Sequence, residues 1–482
     1  MNYKLILRML GLTLLLEAFC LLVPMFVSLF YQENPLPFAI TVLLLSVVSI
    51  PLVFIKTKSQ FFEQEGFVVV ALIWMFFCIF GALPFYFSGC FTSFIDCIFE
   101  VTSGFTTTGA SILTEVESLP RGILFWRSFS SWLGGMGVLI FALAFLPKTG
   151  ERTHALVRAE SPGPVTNKLV PQTAKSSKIL YTIYIIFTLA EILCLRLAGM
   201  PLFDSVVHSF ATICTGGFSI RNLSIGAYGS PSIEIIVTVF MLLSAVNFAI
   251  YFLLMTRRFA AVFKSDELRY FWAIVAAAIA LITLNILLTP GMASGSFGDT
   301  LRQVSFQVSS ILTTTGFSTA DFNLWPQFTH IILLLLMVIG GCASSTSGGI
   351  KVSRTLLLTR CIRRDLRKIS HPRAVKVVKL DGNVVNEETL SRVSAFFTCY
   401  VFIVGLSCLI LSLDNFSFLT TVSAVFACIG NVGPGFDMVG PMGNYSAFSG
   451  LSKLLLSLCM LIGRLEIYPI LILLTPSTWK RF

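Results

Sequence analysis

Long apolar runs alternate with short polar connections along the whole 482-residue chain. Several of these runs approach the roughly 20 residues that an α-helix needs to cross a lipid bilayer. The first run, from about residue 10 to 30, is long and lacks a small-residue cleavage site, which favours a retained helix over a signal peptide. A second run covers about residues 37 to 55. This pattern predicts an all-α polytopic membrane protein.

Four short stretches rich in glycine and hydroxyl side chains interrupt the apolar pattern at intervals of about a hundred residues. They are TSGFTTTGAS (102–111), ATICTGGFS (211–219), SSILTTTGFST (309–319) and ACIGNVGPGF (427–436). Each follows a long apolar helix and a half-polar segment of roughly 12 residues, and each precedes another apolar helix. We therefore expect a two-helix extension and then four units of helix, short pore helix, extended glycine segment and helix around a central pore. The predicted divisions are 1–60 for the extension and 61–150, 151–265, 266–370 and 371–482 for the four repeats.

The composition of the four stretches suits a dehydrated monovalent cation. Irregular backbone at membrane depth is tolerated only where it is buried in protein or lines a water-filled cavity. A ring of backbone carbonyls can replace the hydration shell of such an ion, and glycine permits the backbone angles that this requires. Divalent ions generally want carboxylates, which the stretches lack. The candidate filter residues are Thr107, Thr108, Gly109, Thr215, Gly216, Gly217, Thr314, Thr315, Gly316, Asn431, Val432 and Gly433. The alternative is that these small residues only allow helices to pack closely.

A polar insert, GGCASSTSGGIK (340–351), interrupts the apolar span from about 331 to 358 and predicts a broken helix near mid-membrane. It does not have the spacing of a phosphate-binding P-loop. We expect it to lie across the pore as a gate, together with an arginine in the last apolar helix, because intramembrane arginines usually face a cavity or a partner. The candidate gate residues are Gly340, Gly341, Ser344, Ser345, Thr346, Ser347, Gly348, Gly349, Lys351 and Arg464. Alternatively, Arg464 pairs with a carboxylate on another helix. Glu191, also inside an apolar run, is interpreted as structural.

Composition and charge agree with a membrane protein. Hydrophobic residues make up 55% of the chain and charged residues only 12%, against about 25% charged in soluble domains. The net charge of +10 is concentrated in connections 148–178, 257–269 and 351–392, which places these and both termini in the cytoplasm and argues against nucleic-acid binding. The basic segment 360–380 could bind anionic lipid or a protein.

Other chemistry is absent from the sequence pattern. The four histidines have no metal-ligand spacing, and neither H-E-x-x-H nor G-x-S-x-G occurs, so we expect no enzyme activity and no cofactor in this chain. Most of the twelve cysteines lie in apolar segments. Only Cys90 and Cys97 could meet outside the membrane, and the sequence leaves a disulfide between them open.

Specific strings resemble the TrkH potassium-uptake subunits of the bacterial Trk/Ktr/HKT superfamily. They are WRSFSSWLGGMGVLI (126–140), RAESPGPVTNKLVPQTAKSSKILYTIY (158–184), GGCASSTSGGIK (340–351) and LIGRLEIYPILILLTPSTW (461–479). The resemblance implies a single-chain pore in the bacterial inner membrane, assembled as a homodimer. It also implies a cytosolic, nucleotide-binding partner similar to TrkA that controls opening. Asn431 and Val432 replace the threonine pair found in the first and third stretches, which suggests imperfect selectivity for potassium.

The expected function is therefore potassium uptake through a carbonyl-lined filter, gated by the intramembrane insert and the cytosolic subunit. The alternative is a secondary transporter, or symporter, that couples potassium to sodium or protons. Such a transporter would need ionisable residues or an unwound substrate site at the midplane of the membrane. Arg464 and Glu191 are the candidate ionisable residues inside apolar runs, and two such residues do not by themselves require coupled transport.

Overall fold

The computed structural model describes residues 2–56, 63–137, 173–291, 296–373 and 376–479. Most of the basic connection 148–178 and of the string 158–184 lies outside these ranges, as do the last residues of the string 126–140. The predicted divisions at 60/61 and 150/151 also fall outside the described residues.

Two N-terminal helices pack against each other ahead of the first repeat. They are α1 (Tyr3–Phe30) and α2 (Leu36–Val53). Gly11 allows this close approach, because a Cβ built there would lie 2.5 Å from the Cβ of Leu52. Large apolar side chains on the outer faces stay exposed, for example Phe19 (68%) and Leu43 (64%), as expected for surfaces that meet lipid.

The remaining helices follow the same order four times: a long outer helix, a short pore helix, a non-helical segment and an inner helix. Repeat one has α3 (Glu63–Gly81), α4 (Leu83–Phe87), pore helix α5 (Phe94–Phe105) and α6 (Arg121–Gly135). Repeat two has α7 (Thr173–Leu197), pore helix α8 (Leu202–Ile213), α9 (Pro231–Ala245), α10 (Phe248–Met255) and α11 (Phe259–Phe263). Repeat three has α12 (Asp266–Leu288), pore helix α13 (Phe297–Leu312), α14 (Gln327–Ile339) and α15 (Val352–Ser370). Repeat four has α16 (Glu387–Leu411), pore helix α17 (Phe418–Ile429), α18 (Gly450–Arg464), α19 (Tyr468–Leu474) and α20 (Pro476–Trp479).

Short elements complete the described chain. An antiparallel pair, β1 (Lys379–Leu380) and β2 (Asn383–Val384), lies in the connection between repeats three and four and joins Lys379 to Val384. Single 3₁₀ turns occupy Ser224–Tyr228, Phe322–Leu324, Ser412–Asp414 and Asp437–Val439.

Helix length and composition fit a multi-pass membrane protein. Six helices among the described residues are long and apolar enough to cross a bilayer: Tyr3–Phe30, Leu36–Val53, Glu65–Phe87, Lys178–Leu197, Asp266–Leu288 and Glu387–Asp414. A seventh span forms if the pair α9 and α10, bent by 92°, is taken as one. The four pore helices are too short to span, so they enter the protein and stop inside it.

Inner helices of repeats two, three and four are interrupted. Repeat two bends at 246–247, and repeat four breaks at 465–467. Repeat three has the longest interruption, residues 340–351, at the place predicted from the polar insert. We call residues 340–351 the intramembrane loop.

Candidate ion pathway

All four pore helices end with the same backbone geometry. The residue after each C-cap is left-handed, at Thr107 (φ 55°), Thr215 (57°), Thr314 (58°) and Asn431 (53°). In each case its N–H and the next N–H bond back to carbonyls in the last turn, which is a Schellman ending. Glycine normally fills this position. A β-branched threonine there is a backbone outlier, and such strain clusters at functional sites.

Glycines two residues further on join the four segments into a closed ring. A Cβ built on Gly109 would lie 2.4 Å from the carbonyl oxygen of Gly216, and one on Gly217 would lie 1.8 Å from that of Thr315. Likewise a Cβ on Gly316 would lie 2.2 Å from the oxygen of Val432, and one on Gly433 would lie 2.6 Å from that of Thr108. Each glycine thus packs against the same carbonyl of the next repeat, in the order one, two, three, four, one. We call residues 106–110, 214–218, 313–317 and 430–434 the ring segments.

The quarters of the ring are not identical. In repeats one and three, two threonine hydroxyls bond to each other at 2.7 Å, Thr106 to Thr108 and Thr313 to Thr315. Gly216 and Val432 occupy the matching position in the other two repeats. Instead, the Asn431 amide in repeat four donates to the Thr108 hydroxyl and to the Met460 carbonyl, both at 3.0 Å. The four ring segments therefore share one backbone conformation but are stabilised by different side-chain hydrogen bonds.

A polar side chain of each pore helix reaches the chain just after its ring segment. Glu100 accepts from the N–H of Ile112 at 3.0 Å, and Phe436 N–H donates to Ser423 at 2.9 Å. In repeat two, His208 lies 3.0 Å from the hydroxyl of Ser219. The His208 Nδ1 faces the Asp204 carbonyl, which only accepts, so Nδ1 is the donor and Nε2 accepts from the hydroxyl.

Repeat three completes this set. The Gln307 amide donates to the Ala320 carbonyl at 3.1 Å. In sequence these residues are single polar positions in half-polar helices, and their partners come 11 to 13 residues later. No local spacing rule connects each polar side chain with its partner, so the sequence alone does not reveal these contacts.

A buried ion pair ties repeat one to repeat two. Arg127 of α6 contacts Glu100 at 2.6 Å, and their side chains are 4% and 0% exposed. The Arg127 Nη1 donates to the Ser219 carbonyl at 2.8 Å, and its Cζ lies 3.7 Å from the Phe218 ring centroid. Ser219 is thus held by two repeats, through its hydroxyl and through its carbonyl.

The intramembrane loop lies at the side of the ring where the pore helices end. The Gly348 N–H donates to the Thr314 hydroxyl at 2.7 Å, and a Cβ on Gly348 would lie 2.2 Å from the Gly430 carbonyl oxygen. Two loop residues contact the bend in repeat two: Cys342 N–H donates to the Ala245 carbonyl at 2.9 Å, and Thr346 Oγ1 donates to the Ser244 carbonyl at 3.2 Å. The loop therefore touches the ring and the broken inner helix of another repeat.

Charged residues also hold the loop. Glu267 accepts from the Ala343 N–H at 2.7 Å, and the buried Lys351 donates to the Ser347 carbonyl. Arg464 donates to the Thr346 carbonyl at 2.8 Å and to the Gly134 carbonyl, at the end of α6, at 2.6 Å. These contacts of Arg464 are main-chain carbonyls of repeats three and one. The structure thus brings Arg464 together with the loop.

Glu466 forms an ion pair that the sequence did not suggest. Helix α18 ends at Arg464, and Glu466 follows in a left-handed conformation (φ 55°). Its carboxylate contacts Arg354 of α15, whose Cζ lies 4.2 Å from the Phe396 ring centroid. The first turn of α15, which begins after the loop, is thereby anchored to the break in repeat four.

The remaining titratable groups do not form a metal site in the described part of the chain. No group of three His, Cys, Asp or Glu side chains in these ranges could hold a metal ion. Cys90 and Cys97 are free thiols. Glu191 is fully buried, and the hydroxyl of Thr212 on pore helix α8 faces its carboxylate. Its interpretation as structural stays a prediction.

Comparison with known proteins gives matches over the whole chain. The model of the TrkH family, described as a cation transport protein, matches residues 37–480. The chain is 38% identical to the Trk system potassium uptake protein TrkH of Escherichia coli (strain K12), covering 100% of each, and 35% identical to TrkG of the same strain, covering 99% of each. The crystal structure of the potassium transporter TrkH from Vibrio parahaemolyticus matches with a TM-score of 0.88 at 36% identity, covering 100% of each chain. The predicted all-α polytopic fold is therefore confirmed.

Proposed function

Because the chain belongs to the TrkH family of cation transport proteins, we propose that it takes up potassium ions across the bacterial inner membrane. The observation that carries this proposal is the closed ring, in which four segments of one chain present equivalent carbonyls to one another. The twelve candidate filter residues all lie in these segments. Such a ring can replace the hydration shell of a monovalent cation.

The driving force need not be chemical coupling. Each elementary charge that moves down the membrane potential gains about 2.3 kcal/mol per 100 mV. Potassium can therefore accumulate through a pore, with both termini of the chain in the cytoplasm as the charge distribution predicts. The protein acts as a conduit rather than as an enzyme.

We further propose that the intramembrane loop is the gate. It contacts the ring at Thr314 and is held by residues of other repeats, so a shift of any of these could release it. A cytosolic, nucleotide-binding subunit similar to TrkA would act through α15, which continues directly from the loop into the basic connection. The active assembly is a homodimer. Both statements rest on family membership.

The test is rubidium uptake into liposomes that carry the purified chain, with unlabelled potassium or sodium as competitor. Potassium should compete far better than sodium, and a Gly316→Ser variant should lose that preference while remaining folded. A Cβ at Gly316 would lie 2.2 Å from the Val432 carbonyl oxygen, which a folded ring cannot accommodate unchanged. Absence of flux, or a Gly316→Ser variant that behaves as wild type, would refute the filter.

A second arm separates a pore from a coupled transporter. Uptake driven by a potassium diffusion potential alone, at equal pH and without sodium, supports the pore. Uptake that requires a sodium or proton gradient would instead establish symport.

A further inference from the structure

The buried Glu100–Arg127 pair does more than stabilise the fold. Charged residues are costly to bury, and an ion pair in the interior is often no more stable than an apolar replacement. Here the pair is nevertheless almost fully buried, and its hydrogen-bonding groups contact specific partners. Those partners all follow directly after two ring segments, which suggests a task connected with the ring.

Glu100 uses both of its oxygens. One oxygen accepts from the Ser111 hydroxyl at 2.9 Å and from Arg127 Nε at 2.6 Å, and the other accepts from the Ile112 N–H at 3.0 Å. Ser111 and Ile112 follow Gly109 by two and three residues. Hydrogen bonds to a charged group are roughly twice as strong as neutral ones, so this end of ring segment one is firmly fixed.

Arg127 extends the same support to ring segment two. Its Nη1 donates to the carbonyl of Ser219, and its guanidinium lies against the ring of Phe218. Phe218 and Ser219 are the first and second residues after Gly217. The guanidinium is planar and presents its donors in a fixed fork, so the ion pair sets the separation of the two segments rather than only attracting them.

Other repeats use weaker groups at the same place. Glu100, His208 and Gln307 each lie six residues before the C-cap of their pore helix, at Thr106, Cys214 and Thr313, and repeat four uses Ser423. Only the first of these four is a carboxylate, and only its repeat has an arginine partner bonded to the neighbouring repeat among these contacts. The strongest support thus sits at the junction of repeats one and two.

We propose that Glu100 and Arg127 are positioning residues that set the selectivity of the ring for potassium over sodium, an inference that rests on the proposed uptake function. They hold segments one and two at a fixed distance, so the carbonyl ring keeps the width suited to potassium. When either charge is removed, the two segments can move toward each other and coordinate the smaller sodium ion.

The test measures the concentrations of potassium and sodium that halve rubidium uptake by the full-length chain in liposomes. Glu100→Gln and Arg127→Gln should each lower the preference for potassium about tenfold, since one charged hydrogen bond is worth about that factor. The matched control is Asp96→Asn, because Asp96 pairs with Lys453 at 2.7 Å in the first turn of the same pore helix, at the end away from the ring. It should lower thermal stability but leave the preference unchanged.

A double variant, Glu100→Gln with Arg127→Gln, separates positioning from simple stability. It leaves no unpaired buried charge, so its melting temperature should recover relative to the single variants. Its preference for potassium should stay low, because the link between the segments is still missing. Recovery of the preference together with stability, or an equal loss of preference in Asp96→Asn, would overturn the positioning role.

Should the charge variants fail to fold, Ser111→Ala decides the matter, because it keeps both charges and removes one contact to the segment. We then expect a loss of preference of about tenfold, the value of one hydrogen bond to a charged carboxylate. An unchanged preference would overturn the proposal. The wild type and Gly316→Ser report separately on the filter: if they behave as proposed while Glu100→Gln keeps full selectivity, uptake stands and only the positioning role falls.

Discussion

The ring segments and the intramembrane loop are both irregular backbone inside the membrane, yet they are supported in different ways. Each ring segment is held mainly by its own repeat, through the Schellman ending of its pore helix and a polar side chain of that helix. The loop is held by several separate elements, which are Glu267 and Thr314 of its own repeat, Ser244 of repeat two and Arg464 of repeat four. Local support favours a fixed geometry. Because the loop is supported by several separate elements, its geometry can change when one of these elements moves.

The largest effect is expected from a side chain added inside the ring. In Gly217→Ala, the new Cβ would lie 1.8 Å from the Thr315 carbonyl oxygen, and φ of +64° adds strain of about 1 kcal/mol. Rubidium uptake should be lost or its selectivity abolished. The control is Gly405→Ala in α16, where nothing lies within 4 Å of the added Cβ. A Gly217→Ala protein with normal selectivity would show that the ring is not rigid.

Release of the loop should have the next largest effect, and in the opposite direction. Arg464→Gln removes charged hydrogen bonds to Thr346 in the loop and to Gly134 in α6. Such bonds are worth about 1.5–3 kcal/mol each, so the closed state should lose tenfold or more in population and uptake should rise. Selectivity should be retained. The control is the exposed Arg392→Gln, whose pair with Glu388 is on the surface. Unchanged uptake in Arg464→Gln would contradict loop gating.

A smaller rise in open probability is expected from Thr314→Val, which removes the hydroxyl that accepts from the Gly348 N–H. One neutral hydrogen bond is worth about 1 kcal/mol, or roughly fivefold in the open population. Single-channel recording would give the open probability, and the competition assay would show whether the ring is intact. If selectivity changes but open probability does not, Thr314 serves the ring alone.

The smallest effect should come from a contact inside the loop. The Ser345 hydroxyl donates to the Cys342 carbonyl, three residues away. It also lies 2.7 Å from the hydroxyl of Ser347. Ser345→Ala leaves the contacts with other repeats in place, so open probability should change less than in Thr314→Val. A larger change would show that the loop keeps its shape through its own turn, and the contrast between loop and ring would then fail.

Sequence patterns revealed the parts of this molecule that repeat. All twelve candidate filter residues, found from the recurrence of the glycine stretches, lie in segments that share a left-handed residue and a left-handed glycine two positions later. The polar insert predicts the break at 340–351. The roles assigned to these residues remain predictions. The order of contacts around the ring was not predictable, because it depends on which repeats become neighbours.

Pairs distant in sequence escaped detection for a related reason. Arg354 and Glu466 are separated by 112 positions, and Arg127 and Ser219 by 92. Helical spacing rules cover only neighbours three or four residues apart. An unexplained charge in an apolar run was the one available signal. That signal points to Arg464 and Glu191, but it does not identify Arg354 as the partner of Glu466.

A ring built from a single chain also changes how such a protein can evolve. In a symmetric tetramer, one codon change alters four equivalent positions at once. A substitution is therefore accepted only if the ring tolerates it at all four positions. Here Asn431 stands in one quarter while threonine occupies the same left-handed position in the other three. Each quarter can therefore be altered alone, so the proposed filter can change by about one quarter of the ring at a time while the other three quarters stay as they are.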